Sequence, residues 1–328
     1  MTEKFKIYLS EDIKTRLTND AELFEFFKKD GSVNLNAFLK ILIVNYFDQY
    51  RNEKEKLLTS IRQDISGIVS ISAHDSEILA DRIVNTYLKD DIEKNEKSTA
   101  ITLTISGESY EIISIIENNL LKDSSLSGYL KDMFVSYLSI PRSNREIIIF
   151  KDIQKAIATA ISEKKIITFS TTSSEKNTTF TVEPYLLAPS KEEQCNYLIC
   201  NDARVHIPRT FRISRLKSIF ITSAVFPFDE NLYRELQDKA LRSPQSVSKT
   251  VQAVVKMNSF GIRKFKVVTK NRPDILKIEG DLYYFDWPEL QLEEYFKRFG
   301  RDAIVLEPES LRERLKKYYS MALRAYKD

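Results

Sequence analysis

The sequence predicts a multidomain α+β protein, and three observations carry that expectation. The chain is 328 residues long, which at roughly 100–200 residues per domain holds two or three domains. A pattern of one strand followed by two helices occurs twice within residues 1–140. Short β-rich runs then fill the middle, and strands and helices alternate again towards the end. The composition, 42% hydrophobic and 30% charged, is that of a folded chain. No apolar run reaches the roughly 20 residues a membrane helix needs, and the first residues hold no apolar signal core. No membrane association is expected, and the cytoplasm is the expected compartment.

Composition also argues against most enzyme classes. The two histidines, His74 and His206, lie far apart and leave little for a metal site or a catalytic dyad. Seven scattered glycines do not make a phosphate-cradling loop. Two cysteines make no disulfide framework. A non-enzymatic chain with no metal and no cofactor is expected.

The first element is a strand over residues 4–9. Phe5, Ile7 and Leu9 are apolar, and Lys4, Lys6 and Tyr8 fall between them, so one face is buried. Ser10 reads as a helix N-cap, with Glu11 and Asp12 placed to complement the helix dipole. A first helix is expected to about residue 29, where Asp30-Gly31-Ser32 breaks it, and a second over residues 35–50. The order then recurs. Ile101, Leu103 and Ile105 alternate with Thr102 and Thr104, Ser106-Gly107 opens a helix to about residue 121, and Asp123-Ser124-Ser125 breaks it. A further helix covers residues 126–138. Leu35, Phe38, Leu39, Leu42, Ile43 and Tyr46 share one helical face, and Leu126, Tyr129, Leu130, Met133, Phe134 and Tyr137 repeat that spacing 91 residues later. Helices across residues 53–93 join the two copies.

A strand followed by two helices resembles the ribbon-helix-helix fold. One such unit cannot bury its strand alone, so the resemblance implies that the two pair through an antiparallel ribbon, here within one chain. In DNA-binding members the outward side chains of the ribbon enter the major groove; the resemblance gives that place to Lys4, Lys6, Tyr8, Thr102 and Thr104. Yet residues 1–140 hold 17 Lys and Arg against 23 Asp and Glu, a net of −6. Phosphate contacts dominate DNA affinity, and an acidic module supplies few. A structural or protein-docking role is favoured there over DNA reading.

After Ile140-Pro141-Arg142 a polar linker is expected, then a helix over residues 151–164 with Ile153, Ile157, Ala160 and Ile161 on one face. Five short runs at residues 166–170, 179–187, 196–200, 205–213 and 218–222 predict a small barrel. Residues 141–328 hold 33 Lys and Arg against 24 Asp and Glu, a net of +9, which points to a polyanion partner for this half. Within residues 203–228 stand Arg204, Arg209, Arg212, Arg215 and Lys217, with no Asp or Glu among them. Arginine binds phosphate through paired hydrogen bonds and stacks on bases. His206 lies inside the run as a further contact. Cys195 and Cys200, five apart on a strand, should point to opposite faces as packing residues.

Towards the end, residues 237–248 read as a polar connector, residues 250–257 as a strand and residues 276–287 as one or two more. Residues 289–299 are amphipathic, with Gly300 in the helix-stop position. A strand over residues 303–306 precedes a last helix over residues 309–326. Its Leu311, Leu315, Tyr318, Tyr319, Ala322 and Tyr326 form an apolar-aromatic stripe.

Asn196-Tyr197-Leu198-Ile199-Cys200 and Arg209-Thr210-Phe211-Arg212-Ile213-Ser214-Arg215-Leu216, with Glu183-Pro184-Tyr185 and the helix before them, resemble a WYL domain over about residues 145–228. The resemblance implies an Sm/SH3-like β-barrel that binds nucleic acid or nucleotide-type ligands. Its arginines would meet phosphates, and Tyr197 and Tyr185 would be available to stack bases. Asn196 stands where the family carries tryptophan. Ser214 stands where it carries aspartate, which leaves Arg212 and Arg215 without an obvious local partner and favours an anion site. Phe296-x-x-Phe299-Gly300-x-x-Ala303-Ile304-Val305-Leu306-Glu307-Pro308-x-x-Leu311-Arg312 resembles the extension that often follows WYL domains, which implies an α+β C-terminal dimerisation domain and a homodimer. The expected domains are residues 1–140, a tandem ribbon-helix-helix-like N-terminal region with linking helices; residues 145–232, the WYL domain; and residues 250–328. This order resembles the accessory WYL proteins of type VI-D CRISPR systems. That resemblance implies a protein that binds single-stranded RNA and raises the activity of an RNA-guided CRISPR RNase. The alternative is a ligand-responsive DNA-binding transcriptional regulator whose WYL domain senses a nucleotide. The basic second half favours the first.

Overall fold

The computed structural model of the chain describes residues 2–87, 98–121, 124–173 and 176–326. The expected end of the linking helices near residue 93 and the expected break at Asp123 lie outside the described residues. The chain is mixed α+β and divides into two compact units, residues 1–151 and 152–328. Among the described residues the strands form a two-stranded, a five-stranded and a four-stranded sheet.

In the first unit, β1 (Thr2–Ser10) pairs antiparallel with β2 (Ser98–Ser106), from Thr2 opposite Ser106 to Ser10 opposite Ser98. The expected intrachain pairing of the two strands is therefore present. Its helices are α1 (Glu11–Leu23), α2 (Leu35–Ile68), α3 (Ala73–Tyr87), α4 (Glu108–Asn119), α5 (Leu126–Ser139) and α6 (Arg142–Ile149). Ser10 caps α1 by accepting the Ile13 N–H, Asn34 caps α2 and Ser125 caps α5, each satisfying an orphan donor of the first turn.

The repeat is visible in the packing. Tyr46 and Tyr137, equivalent at the 91-residue offset, meet with ring centroids 5.9 Å apart. That contact brings the two repeated helices, α2 and α5, together. The ribbon's edges are closed by equivalent residues too. Ser127 Oγ accepts the Tyr8 N–H at 3.0 Å, while Asn36 accepts the Thr104 N–H at 2.7 Å and donates to its carbonyl at 3.3 Å. Each closure blunts a sheet edge that would otherwise invite another strand.

Three helix expectations are corrected here. α1 ends at Leu23 rather than near residue 29, because Phe24 turns into the core against Phe38 and Phe150. α2 continues to Ile68, since residues 51–66 hold no proline or glycine to stop it. The stretch after Pro141 is a helix, not a linker, because Arg145, Glu146, Ile148 and Ile149 are buried.

A buried ion pair ties α1 to α6. Arg145 meets the Asp20 carboxylate through Nε at 2.9 Å and Nη2 at 3.0 Å, and Arg142 Nε lies 3.6 Å from it. Burial pushes the Asp20 carboxyl up, and the two guanidinium groups offset only part of that. Removing one partner strands the other's charge in the interior, which costs about 3–5 kcal/mol. Asp20→Ala should therefore lower unfolding stability by about that much in urea titration, whereas Arg142→Ala should cost about 1 kcal/mol or less.

In the second unit, α7 (Lys151–Ser162) leads into β3 (Lys165–Ser173), β4 (Lys176–Ser190), β5 (Cys195–Asp202), β6 (Pro208–Arg212) and β7 (Leu216–Val225), followed by α8 (Glu230–Arg242). The strands are antiparallel in the order β6-β5-β4-β3-β7. The expected closed barrel is not formed: among the described residues no ladder joins β6 to β7. A 3₁₀ turn, Ile213–Arg215, hands the chain from one edge strand to the other, so the two share a turn rather than a register. One face of the sheet carries Tyr185, Cys195, Tyr197 and Ile199, packed with Phe226, Leu236 and Ala240. Cys200 belongs to the other face, with its Sγ against the Arg209 carbonyl, as the five-residue spacing requires. The polar connector expected at residues 237–248 is instead the end of α8 and a 3₁₀ turn, Pro244–Ser246.

The same unit continues with β8 (Thr250–Met257), α9 (Ser259–Val267), β9 (Ile275–Glu279), β10 (Leu282–Pro288), α10 (Glu289–Phe296), β11 (Ala303–Glu307) and α11 (Glu309–Ala325). The sheet order is β11-β8-β10-β9, and Val255, Phe285, Phe296, Phe299 and Leu311 fill its core. α9 had no counterpart in the sequence reading.

Candidate nucleic-acid interface

The basic run begins where β5 turns into β6. Asp202 ends β5, and its Oδ1 accepts the backbone N–H groups of Arg204 at 3.0 Å and Val205 at 3.2 Å. The turn closes with His206 in the left-handed region, at φ 50°, and its N–H bonded to the Asp202 carbonyl at 2.9 Å. Arg204, Val205 and His206 are thereby held exposed at the hairpin tip. The other carboxylate oxygen of Asp202 takes Arg209 Nε at 2.7 Å, and that guanidinium lies over the Phe180 ring, 5.6 Å from its centroid. Burial pushes the Asp202 carboxyl up, but the two amide donors and the guanidinium outweigh it and hold it below the usual aspartate value. An acid one residue ahead of the acid-free run thus serves as its organiser.

The arginines do not form one surface. Arg209 stands opposite Cys200 and Arg212 opposite Tyr197, three residues apart on an extended strand, so their side chains leave opposite faces. Arg215 is exposed on the 3₁₀ turn and Lys217 is exposed on β7. Ser214 is fully buried. The expectation that Arg212 and Arg215 lack local partners is corrected: both interact within the chain.

Both candidate stacking tyrosines are corrected as well. Tyr185 is 2% exposed, lies between Phe226 and Phe228, and accepts the Asp229 N–H at 3.4 Å. Tyr197 is 7% exposed, and its hydroxyl donates to Glu193. Burial pushes both phenols up. The physical reason is α8, which covers the face to which they point. The sequence reading passed over Phe220 on β7, which is 66% exposed although strand alternation alone suggests a core residue.

On the two-stranded ribbon, the expected set does come together. Lys4 stands opposite Thr104 and Lys6 opposite Thr102, with Tyr8 following on the same outward face, while Ile7, Leu9, Leu103 and Ile105 are buried beneath.

Residues 152–221 match the family model of the WYL domain. The chain carries a WYL domain. No curated protein sequence matches it. Among solved structures the WYL-containing chain is similar to a crystal structure described as a CRISPR Cas-related protein. The identity is 20% and the TM-score 0.64, covering 100% of this chain and 95% of that one. At that identity the likeness is one of fold. A second match is the proteasome accessory factor B/C (PafBC) of Arthrobacter aurescens, at 15% identity and TM-score 0.31, covering 99% of this chain and 50% of that one. No described helix is long and apolar enough to cross a membrane.

Because the folded Asp202 value is lowered, its contribution to the hairpin tip is complete above the ordinary aspartate value. That contribution is lost as pH falls through the folded value. Amide protection at Arg204 and Val205 should therefore hold at neutral pH and fall on acidification below about pH 4. Asp202→Ala should show the unprotected state at neutral pH in hydrogen-exchange mass spectrometry.

Proposed function

We propose that this protein is a non-enzymatic accessory of an RNA-guided CRISPR RNase, binding single-stranded RNA through its WYL domain and raising the nuclease's activity. The observation that carries the reading is the run of residues 203–228. Arg204 and His206 are exposed at one end of it and Arg215 and Lys217 further along, with no acid between. The fold likeness to a CRISPR Cas-related protein supports the class of partner. Unpaired bases can use aromatic faces and hydroxyl groups, which suits an exposed sheet face.

A second reading, a DNA-binding regulator whose WYL domain senses a nucleotide, is favoured by one feature. We read the first unit as a tandem ribbon-helix-helix arrangement, and its outward face presents Lys4, Lys6, Tyr8, Thr102 and Thr104 together. Its net charge of −6 over residues 1–140 weighs against it. Filter binding separates the two. Single-stranded RNA should bind more tightly than duplex DNA. Arg204→Ala/Arg215→Ala should reduce both affinity and salt slope, by about 0.7 in the log–log slope per lost phosphate contact, with Lys4→Ala/Lys6→Ala left unchanged. Loss of RNA binding in the lysine variant alone would move the site to the ribbon.

The C-terminal domain supplies the homodimer in this reading. Leu311 and Leu315 of α11 are buried in their own domain, but Tyr318, Met321, Leu323 and Tyr326 beyond them are exposed. A specific dimer buries about 1,200–2,000 Å² in total, and apolar side chains at its centre suit such an area. Met321→Asp/Leu323→Asp should give a monomer by light scattering where the unaltered chain gives a dimer.

A further inference from the structure

We infer that the part of the β3, β4 and β7 face that α8 leaves uncovered is the platform on which a base of single-stranded RNA stacks, with Phe220 as the stacking ring and Lys217 as the phosphate contact. The inference rests on the RNA-binding reading above and says where on the WYL domain the strand lies. On β3, Ile167 and Phe169 are buried, so Thr168 and Ser170 face outwards. Their partners on β4 are Thr181 and Thr179, and their partners on β7 are Phe220 and Lys217. Side chains directly opposite in an antiparallel pair share a face. The result is a patch of four hydroxyl side chains, one amine and one exposed ring. No acid stands among the six, and the next outward acid along β4, Glu183, is buried and holds Asn201 at 2.9 Å.

The backbone is shaped to make this patch. Lys217 and Phe220 are three residues apart, so on a regular strand they would leave opposite faces. Between them Ser218 and Ile219 stand opposite the single residue Phe169, and Ser218 takes φ 53°. Positive φ is uncommon outside glycine, and bulges of this kind re-aim side chains beside functional sites. Here the bulge brings the ring and the amine to one side while Leu216 and Ile221 keep to the core side. A lone exposed apolar side chain is ordinary. One aimed by a bulge into a hydroxyl-and-amine setting without acids matches a nucleic-acid strand: the ring takes a base, the amine a phosphate, and the hydroxyls the 2′-hydroxyl that marks RNA.

The test uses the full chain and a labelled, mixed-sequence single-stranded RNA in fluorescence anisotropy. Phe220→Ala should weaken binding roughly tenfold with an unchanged salt slope, because it removes stacking and no charge. Lys217→Ala should lower the slope by about 0.7. Phe220→Trp should retain affinity, and RNA should quench its emission beyond any change seen from Trp287 in the unaltered protein. Unchanged RNA affinity in Phe220→Ala, or no added quenching in Phe220→Trp, overturns the platform while leaving RNA binding in place. Loss in Phe220→Ala of nuclease binding alone assigns the face to protein instead. An unaltered chain that binds no single-stranded RNA overturns the functional reading, and the platform falls with it.

Discussion

A strand that buries one face must offer the other, and this alternation governs the candidate sheet faces in both units. In the ribbon it sends Ile7 and Leu103 into the core, and so obliges Lys4, Lys6 and Tyr8 to stand outwards with Thr102 and Thr104. In the WYL domain it sets Arg209 and Arg212 on opposite faces, although both lie in one basic run. The same constraint explains why the bulge at Ser218 matters. It is a local exception to alternation, and it places Lys217 and Phe220 side by side.

Two acids show how differently a carboxylate can act by depth. Asp20 is enclosed with Arg145, where desolvation is large and either partner alone is costly. Its role is to hold α1 against α6. Asp202 stands at the rim of the WYL sheet, with amide donors on one oxygen and Arg209 on the other. Its pair with Arg209 adds little stability on its own, because Arg209 remains partly in water. What it does is geometric: it fixes the turn that presents Arg204 and His206, and it parks one guanidinium over Phe180.

Much of this was legible from residues alone. The alternation of Phe5, Ile7 and Leu9 and of Ile101, Leu103 and Ile105 placed two strands, and the resemblance to the ribbon-helix-helix fold paired them. The 91-residue repeat anticipated the equivalence that Tyr46 and Tyr137 display. The fate of Tyr185 and Tyr197 was not legible. Periodicity says which side chains share a face, but not which face a later helix will cover. The covering helix, α8, carries its own stripe, Leu232, Tyr233, Leu236 and Ala240, but a stripe does not say which sheet face it will pack on. Sheet closure was equally hidden, since strand count and spacing are the same for an open sheet and a barrel. Phe220 was hidden for the opposite reason, because a bulge resets the period on which the reading depends.

The uneven charge of the chain then acquires a structural meaning. Residues 1–140 carry a net of −6 and residues 141–328 a net of +9, so a polyanion is attracted to one part and repelled by the other. The ribbon's outward face offers two lysines against that unfavourable field. The WYL domain offers its cations in a stretch without acids, beside hydroxyls and an exposed ring. Duplex recognition demands a protruding element that fits a groove, together with many phosphate contacts. A flexible single strand demands neither; it can drape over a shallow face and present one base to one ring. In the proposed reading, the exposed ring, hydroxyls and cations of this sheet serve the second demand.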